Sequence, residues 1–306
     1  MADSLIDIKR RIASTKKTRQ ITSAMQMVSG SKLNQVEKRS AAYEVYTDKV
    51  RATVTHLAQS QLLTMAARQA EDMYEKKDDG PRVQFSDLLM QRPVKKVGYL
   101  VITSDRGLVG GYNSNVLKPM LDVLKQDEHE TTIMAVGGVG ADFFKHRDIN
   151  VSYEYRGVSD TPTFDEAREI VKTAVSMYKN EVFDELYVCY NHHVNSLTSA
   201  FRVEQMLPIT DLDPEEAGDA PVQYLVEPNL DAVLDVVLPQ YAESLIFGAI
   251  MDAKTAEHAA SMTAMKSATD NADDLISNLS TRYNRARQAA ITTELTEIVS
   301  GAAAVE

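Results

Sequence analysis

The sequence predicts a central α/β domain between two long helices, which form the ends of the chain and pair as an antiparallel coiled coil. The distribution of helix breakers supports this prediction, because all nine prolines fall between Pro81 and Pro239. Residues 2–79 contain no proline and one glycine, and residues 240–306 contain no proline and two glycines. Proline interrupts helical hydrogen bonding, so both ends of the chain can form helices of unusual length.

The C-terminal helix carries apolar and small residues three to four positions apart over more than four heptads, which is the spacing of a coiled-coil seam. At about 1.5 Å per residue, sixty helical residues span roughly 90 Å, more than the width of a domain of this size. We therefore expect a protruding rod, although periodicity alone leaves open a plain coiled coil with no further contact. The predicted seam residues are Met262, Met265, Thr269, Ala272, Ile276, Leu279, Tyr283, Ala286, Ala290 and Thr293.

The N-terminal helix shows the same spacing only in separate pieces. The phase of the pattern slips between these pieces, and residues 18–20 are polar where a seam should be apolar. A free coiled coil rarely tolerates such a break, whereas a helix buried in another protein can. Residues 1–40 also carry nine basic and three acidic groups in a chain of net charge -11, which suits an acidic protein partner as well as a solvated face. The predicted seam pieces are Leu5, Ile8 and Ile12, then Ile21, Met25 and Val28, then Tyr43, Tyr46, Val50, Val54 and Leu57.

The middle of the chain alternates strand-like and helix-like segments, which predicts a largely parallel sheet in a Rossmann-like α/β domain. The expected strands are 97–103, 131–136, 149–155, 185–191 and 200–208, and the expected helices are 113–125, a short one after 140, and 165–178. Two stretches rich in charge, glycine and proline are expected to be linkers. The predicted organisation is a coiled-coil axle of residues 1–70 and 230–306, an α/β domain of residues 93–209, and linkers of residues 71–92 and 210–229.

No motif in the chain predicts catalysis or a cofactor. The glycine loops at 107–111 and 137–140 lack the spacing of a dinucleotide-binding turn, and no phosphate-binding loop with its lysine is present. They are more simply explained as tight strand-to-helix turns. His192 and His193 are adjacent on a predicted strand, so their rings should point to opposite faces and not share a metal. Cys189 has no catalytic motif around it.

Composition excludes further classes of protein. A net charge of -11 argues against nucleic-acid binding, which usually requires a basic balance. One cysteine cannot form an internal disulfide, and residues 1–11 lack the apolar core of a secretory signal. The longest apolar run, near 245–251, is too short to span a membrane, so we expect membrane association only through a partner.

Four motifs, in the same order as in the family, resemble the γ subunits of F-type ATP synthases. The C-terminal sequence ITTELTEIVSGAAAVE at 291–306 fills every specified position of the family pattern ITxExxExxxGAxA. Similar matches are IAST at 12–15 with KTRQITSAMQMV at 17–28, SDRGLVGGYN at 104–113, and AMKSATDNA at 264–272 with YNRARQA at 283–289. The chain departs from the family at Val109, where a cysteine is usual, and at Ser261, where many relatives have arginine. A single cysteine also excludes the redox switch of the chloroplast subunit, which favours a bacterial origin.

The resemblance implies a non-catalytic rotor subunit at the cytoplasmic face of the cell membrane, with no cofactor and with membrane contact only through the Fo sector. Its rotation inside the α3β3 ring would couple proton flow to ATP synthesis at the β subunits, and the α/β domain would meet the ε subunit and the c ring. The expected contacts to the α3β3 ring are Met25, Arg287, Gln288, Thr292, Glu294 and Glu297, and those to the ε subunit and c ring are Arg106 and Tyr112.

Alternatives remain open from the residues themselves. Met25 could be a core residue of the coiled coil instead of a partner contact. The whole chain could be a generic coiled-coil scaffold, which would not depend on α and β subunits. It could also be a small-molecule enzyme built on the α/β domain, which would bind nucleotide alone; the missing phosphate loop speaks against this.

Overall fold

The computed structural model describes residues 4–72, 88–89, 92–209 and 226–303, so most of the two predicted linkers lies outside the described residues. The helices and strands confirm the predicted fold class, with a long helix at each end and an α/β domain between them. In chain order they are α1 (Leu5–Asp72), β1 (Lys96–Ile102), α2 (Tyr112–Gln126), β2 (Glu130–Val136), α3 (Gly138–Lys145), β3 (Val151–Tyr155), α4 (Phe164–Lys179), β4 (Glu185–Asn195), β5 (Thr198–Leu207) and α5 (Leu230–Ala303).

The chain separates into two compact units. The first consists of Met1–Ser31 and Ser261–Glu306, and the second of Lys32–Ala260. Both α1 and α5 therefore contribute to each unit, and the second unit holds helical segments together with the whole sheet. The predicted boundary between an axle and an α/β domain stays a prediction.

The sheet of the second unit has the strand order β3-β2-β1-β4-β5. The first four strands are parallel and β5 runs antiparallel to β4, so the prediction of a largely parallel sheet is confirmed. Side chains alternate between two cores, as a strand period of two requires. Along β1, Leu100 and Ile102 face α4 and the local segments of α1 and α5, whereas Tyr99 and Val101 face α2 and α3.

Helix α5 begins nine residues before Pro239, although a proline usually ends a helix. In a regular helix the carbonyl of Asp235 would accept a hydrogen bond from the backbone N–H of residue 239, which proline lacks. This carbonyl lies in an exposed stretch and can bind water instead. The amide oxygen of Asn229 caps the start of the helix by accepting from the N–H of Ala232 at 2.8 Å. Over one 18-residue window the helix has a mean hydropathy of 1.4, which by length and composition alone would suit a membrane span. Half of that window is buried inside the protein, and an ordinary core helix meets the same criterion.

Candidate partner-binding site

In the first unit, α1 and α5 pair in antiparallel fashion through polar side chains. The hydroxyls of Thr22 and Thr269 are 2.8 Å apart, and those of Ser29 and Ser261 are 3.1 Å apart. One turn from the threonine pair, the guanidinium of Arg19 donates to a carboxylate oxygen of Asp273. Because the partner number falls on α5 as the number rises on α1, the two helices run in opposite directions.

Small residues let the two helices approach closely in this unit. A Cβ atom added at Gly30 would lie 3.3 Å from the sulfur of Met262. On α5, Met265, Thr269, Ala272 and Leu279 are buried at the predicted spacing. The seam on α5 is therefore confirmed over this stretch, whereas its last predicted member, Thr293, is exposed.

The predicted seam of α1 is wrong at three positions. One of them, Tyr46 in the second unit, is 49% exposed. Ile21 and Val28 are 60% and 52% exposed, and the neighbouring Thr22 and Ser29 occupy the seam instead. The physical reason is that the hydroxyls of Thr22 and Ser29 pair with hydroxyls of α5 at this point, which turns the neighbouring apolar side chains outward. Together with the exposed Met27, Ile21 and Val28 form an outer apolar face on a part of α1 in which basic residues outnumber acidic ones.

Met25 lies between these two surfaces. Its side chain is half-buried at the edge of the seam. Both interpretations of Met25, as core and as partner contact, are compatible with this placement.

The last part of α5 extends past the start of α1. Continuing the register set by the hydroxyl pairs places Leu5, the first residue of α1, opposite about Ala286. All ten side chains of residues 291–300 are exposed. The segment continues the packed part of α5 as one helix but makes no buried side-chain contact over these ten residues. We refer to residues 287–303 as the tip.

The tip carries both polar and apolar groups toward solvent. The five C-terminal residues predicted to contact the ring, namely Arg287, Gln288, Thr292, Glu294 and Glu297, all lie exposed on it. Sequence reasoning did not assign a role to its apolar stripe, which repeats at positions i, i+4, i+7 and i+8 and is the pattern of a helix face that is buried against a partner. A usable signal was present, because large apolar residues replace the small seam residues after Ala290. The stripe consists of Ile291, Leu295, Ile298 and Val299.

At the carboxyl edge of the sheet, where α/β domains commonly bind nucleotides, the N–H groups at the start of α3 are bonded within the protein. A carboxylate oxygen of Asp105 accepts from the N–H of Gly138 at 2.9 Å, at the start of α3. The hydroxyl of Thr103 accepts from the N–H of Gly140 at 2.9 Å. These contacts use the N–H groups that would otherwise hold a phosphate.

The glycines of the loop at 137–140 are required for this packing. Gly137 has a φ of +100°, and a Cβ atom there would lie 2.2 Å from the carbonyl oxygen of Thr103. The interpretation of this loop as a tight strand-to-helix turn agrees with this geometry. Among the described residues, no group of three or more His, Cys, Asp or Glu side chains is placed to hold a metal ion.

The two residues predicted to contact the ε subunit and c ring have different environments. Arg106 is exposed in the loop between β1 and α2. Tyr112 is 1% exposed, its burial raises the pKa of its hydroxyl, and its carbonyl accepts from the side-chain amide of Asn191 at 3.1 Å. It packs with Val109, the residue that replaces the family cysteine, and with Ala256 of α5. A partner role for both residues stays a prediction, and in this structure the Tyr112 side chain is part of the core.

Comparison with known proteins gives consistent matches over the whole chain. A model of the ATP synthase family matches residues 4–305. The chain is 70% identical to the ATP synthase gamma chain of Lacticaseibacillus casei strain BL23 and 60% identical to that of Enterococcus faecalis, in each case over 100% of both chains. Its fold is similar to a chain of the Euglena gracilis mitochondrial ATP synthase rotor, with a TM-score of 0.62 and 18% identity over 94% of this chain and 98% of that chain. A chain of the Tetrahymena thermophila central stalk and c ring gives a TM-score of 0.58 at 19% identity, over 81% and 99%.

An antiparallel helix pair with an exposed tip, together with an α/β domain inserted between its two helices, is the fold of an ATP synthase stalk subunit. The chain belongs to the ATP synthase family, and its full-length relatives are gamma chains, the rotor subunits of the F-type enzyme. The family and the non-catalytic role predicted from the sequence are thereby confirmed.

Proposed function

We propose that the tip of α5 is the part of this rotor subunit that is held inside a ring of three α and three β subunits. The observation that carries the proposal is the exposed stripe of Ile291, Leu295, Ile298 and Val299 on a helix segment that extends past α1. Burial of this stripe by a partner would stabilise the complex.

The outer face of α1 offers a second contact to the same ring. Ile21, Met27 and Val28 present apolar surface there, and Lys9, Lys16 and Lys17 are exposed on the same helix. A basic helix on an acidic chain favours acidic loops on the partner, and charge would steer the two together. Met25 suits a contact that re-forms at three sites in turn, because its side chain is flexible and polarizable.

The polar groups of the tip would provide contacts that form and release during rotation. Arg287, Gln288 and Glu294 flank the apolar stripe and can make charge-assisted hydrogen bonds to loops of the β subunits. An asymmetric tip contacts each β subunit differently and therefore favours a different open or closed state in each one. Rotation would pass this bias from one catalytic site to the next.

The α/β domain would connect the rotor to the membrane sector. We propose that Arg106 and its loop take part in contacts with the ε subunit and the c ring, so that proton flow turns the subunit and drives ATP synthesis. The use of the first N–H groups of α3 by Asp105 and Thr103 agrees with a mechanical role for this domain. The subunit would lie at the cytoplasmic face of the cell membrane and touch the membrane only through Fo.

Reconstitution tests this function directly. Purified α and β subunits from the same source are assayed for ATPase activity with and without the chain. We expect a large rise in turnover and co-elution of one copy per three β subunits, and no binding with no stimulation would refute the proposal.

A double variant, Gln288→Leu with Glu297→Ala, tests the polar contacts of the tip. We expect it to lower coupled ATP turnover by about tenfold, the effect of losing about 1.4 kcal/mol of hydrogen bonding to the partner. Its melting temperature should not change, because both side chains are exposed. Asp235→Ala is the matched control, since it also removes an exposed acid from α5 but lies outside the tip. Unchanged turnover in the double variant would show that these contacts are dispensable.

A further inference from the structure

The second unit contains two polar contacts between the α/β domain and the local segments of α1 and α5. One involves the end of β4 and the other the loop between β3 and α4. Each reaches both helices, and neither is part of the tip or of the predicted ring contacts.

The first contact, which we name the strand tie, is built on Asp252 of α5. One of its carboxylate oxygens lies 2.6 Å from Nδ1 of His192, and the other accepts from the backbone N–H of His193 at 2.9 Å. The ring of His193 lies on the other side of the strand, where its Nε2 is 3.7 Å from Glu37 of α1. The two histidines predicted to face opposite ways thus reach two different helices.

The second contact, which we name the loop tie, is built on Asp160. Its carboxylate accepts from the ammonium of Lys32 on α1 at 2.6 Å, and its backbone carbonyl lies 2.9 Å from Nε2 of His258 on α5. His258 is buried. The hydrogen bond from Lys32 holds the pKa of Asp160 below its ordinary value.

The two ties meet each helix from different sides. His258 lies six positions after Asp252 on α5, which corresponds to about 9 Å along the axis and about 120° around it. Glu37 lies five positions after Lys32 on α1, which corresponds to about 7.5 Å along the axis and about 140° around it. Between the α5 contacts, Ala256 packs against Val109 and Tyr112. A helix held from two sides resists turning about its own axis, whereas a helix held from one side can roll.

We propose that the strand tie and the loop tie set the torsional stiffness with which the α/β domain holds α1 and α5, and that Asp252 and Asp160 are their positioning residues. The inference rests on the proposed rotor function, in which torque applied to the α/β domain reaches both helices through these polar contacts as well as through the apolar core. Hydrogen-bond and ion-pair networks on rigid elements carry such coupling. Loss of the ties leaves the catalytic sites of the β subunits unchanged. It widens the range of angles that the α/β domain can adopt relative to α1 and α5.

The test uses the complex reconstituted with α and β subunits and fixed to a surface through the β subunits. A bead is attached through Lys118→Cys on the exposed face of α2; the native Cys189 is buried and does not compete for the label. The angular variance of the bead is measured while the rotor is stalled. Because the ties act in parallel, we expect Lys32→Ala with Asp252→Ala to raise the variance about twofold.

The matched control is Asp142→Ala with Lys145→Ala, which also removes one acid and one base. These residues belong to an exposed ion-pair network with Glu154 and Arg156, and none of its described contacts reaches α1 or α5. A tie variant with the same variance as this control would overturn the inference. A wild-type bead that does not rotate with ATP would instead refute the proposed rotor function.

A charge exchange keeps the test valid even if the double variant fails to assemble. Lys32→Asp combined with Asp160→Lys restores an opposite-charge pair, and either substitution alone does not. We expect each single variant to have a larger angular variance than wild type. The exchange should return the variance toward the wild-type value. An angular variance in the exchange variant as large as in the single variants would also overturn the inference.

Discussion

Removal of apolar surface from the tip should weaken binding to the ring and leave the chain itself unchanged. The perturbation is Leu295→Ala with Ile298→Ala, at side chains that are 57% and 68% exposed. Alanine has the highest helix propensity, so the helix is not weakened by the change. Exposed substitutions of this kind alter folding free energy by less than about 0.5 kcal/mol.

The magnitude follows from the exposed area. Complete burial of a leucine or isoleucine is worth about 1.5–3 kcal/mol, and these two side chains have rather more than half of their surface available to a partner. Alanine retains a small part of that gain, so the double variant should lose about 2 kcal/mol of binding free energy. This loss corresponds to an affinity for the ring that is about thirtyfold lower.

The assay is competition between labelled wild-type chain and unlabelled variant for a limiting amount of α3β3 ring. Val236→Ala is the matched control, because Val236 has 59% exposure on the same helix but lies in the second unit. Equal competition by the wild type and the double variant would refute the assignment of the apolar stripe as a binding surface.

Two further predictions concern the α/β domain. Gly137→Ala should lower the free energy of unfolding by about 3 kcal/mol, since it adds a positive-φ penalty and a clash with Thr103, whereas Gly157→Ala, with positive φ but open space, should cost about 1 kcal/mol. Denaturant unfolding measures both, and equal losses would contradict the packing role of Gly137. Lys32→Met should lower stability at pH 7 by at most about 1 kcal/mol, because both members of the ion pair are substantially exposed. Since the folded pKa of Asp160 is lowered, its contribution is present above the ordinary carboxyl pKa and disappears as the pH falls through the lowered value. A difference between wild type and Lys32→Met that does not depend on pH would show that the ion pair adds nothing.

Much of the fold could be predicted because its signals are local. The absence of proline and the three-to-four spacing predicted α1 and α5, and the β-branched run at 97–103 predicted a buried strand, which is β1. It was harder to predict that α5 begins at Leu230 and continues through Pro239. A proline near the start of an exposed helical stretch leaves only a solvated carbonyl, and periodicity does not show whether that carbonyl meets water.

The inner face of α1 around residues 22–29 could not be predicted from hydrophobicity, although Ile8, Val54 and Leu57 are buried as their spacing predicted. Thr22 and Ser29 face α5 because each finds a hydroxyl partner more than 200 residues away, and Gly30 allows the helices to come close enough. Ile21 and Val28 are consequently turned outward. Periodicity of apolar residues marks an interface only when apolar contacts form it.

The order of helices and strands, the family and the polar residues of the tip were determined by the sequence alone, because each depends on short segments read in order. Only the tertiary structure decided the register of the two helices, the burial of Tyr112, the exposure of the tip's apolar stripe and the bonding of the first N–H group of α3 to Asp105. The ties at Asp160 and Asp252 belong to this second group as well. All of these features depend on which side chains from distant segments meet, and that is determined by packing in three dimensions.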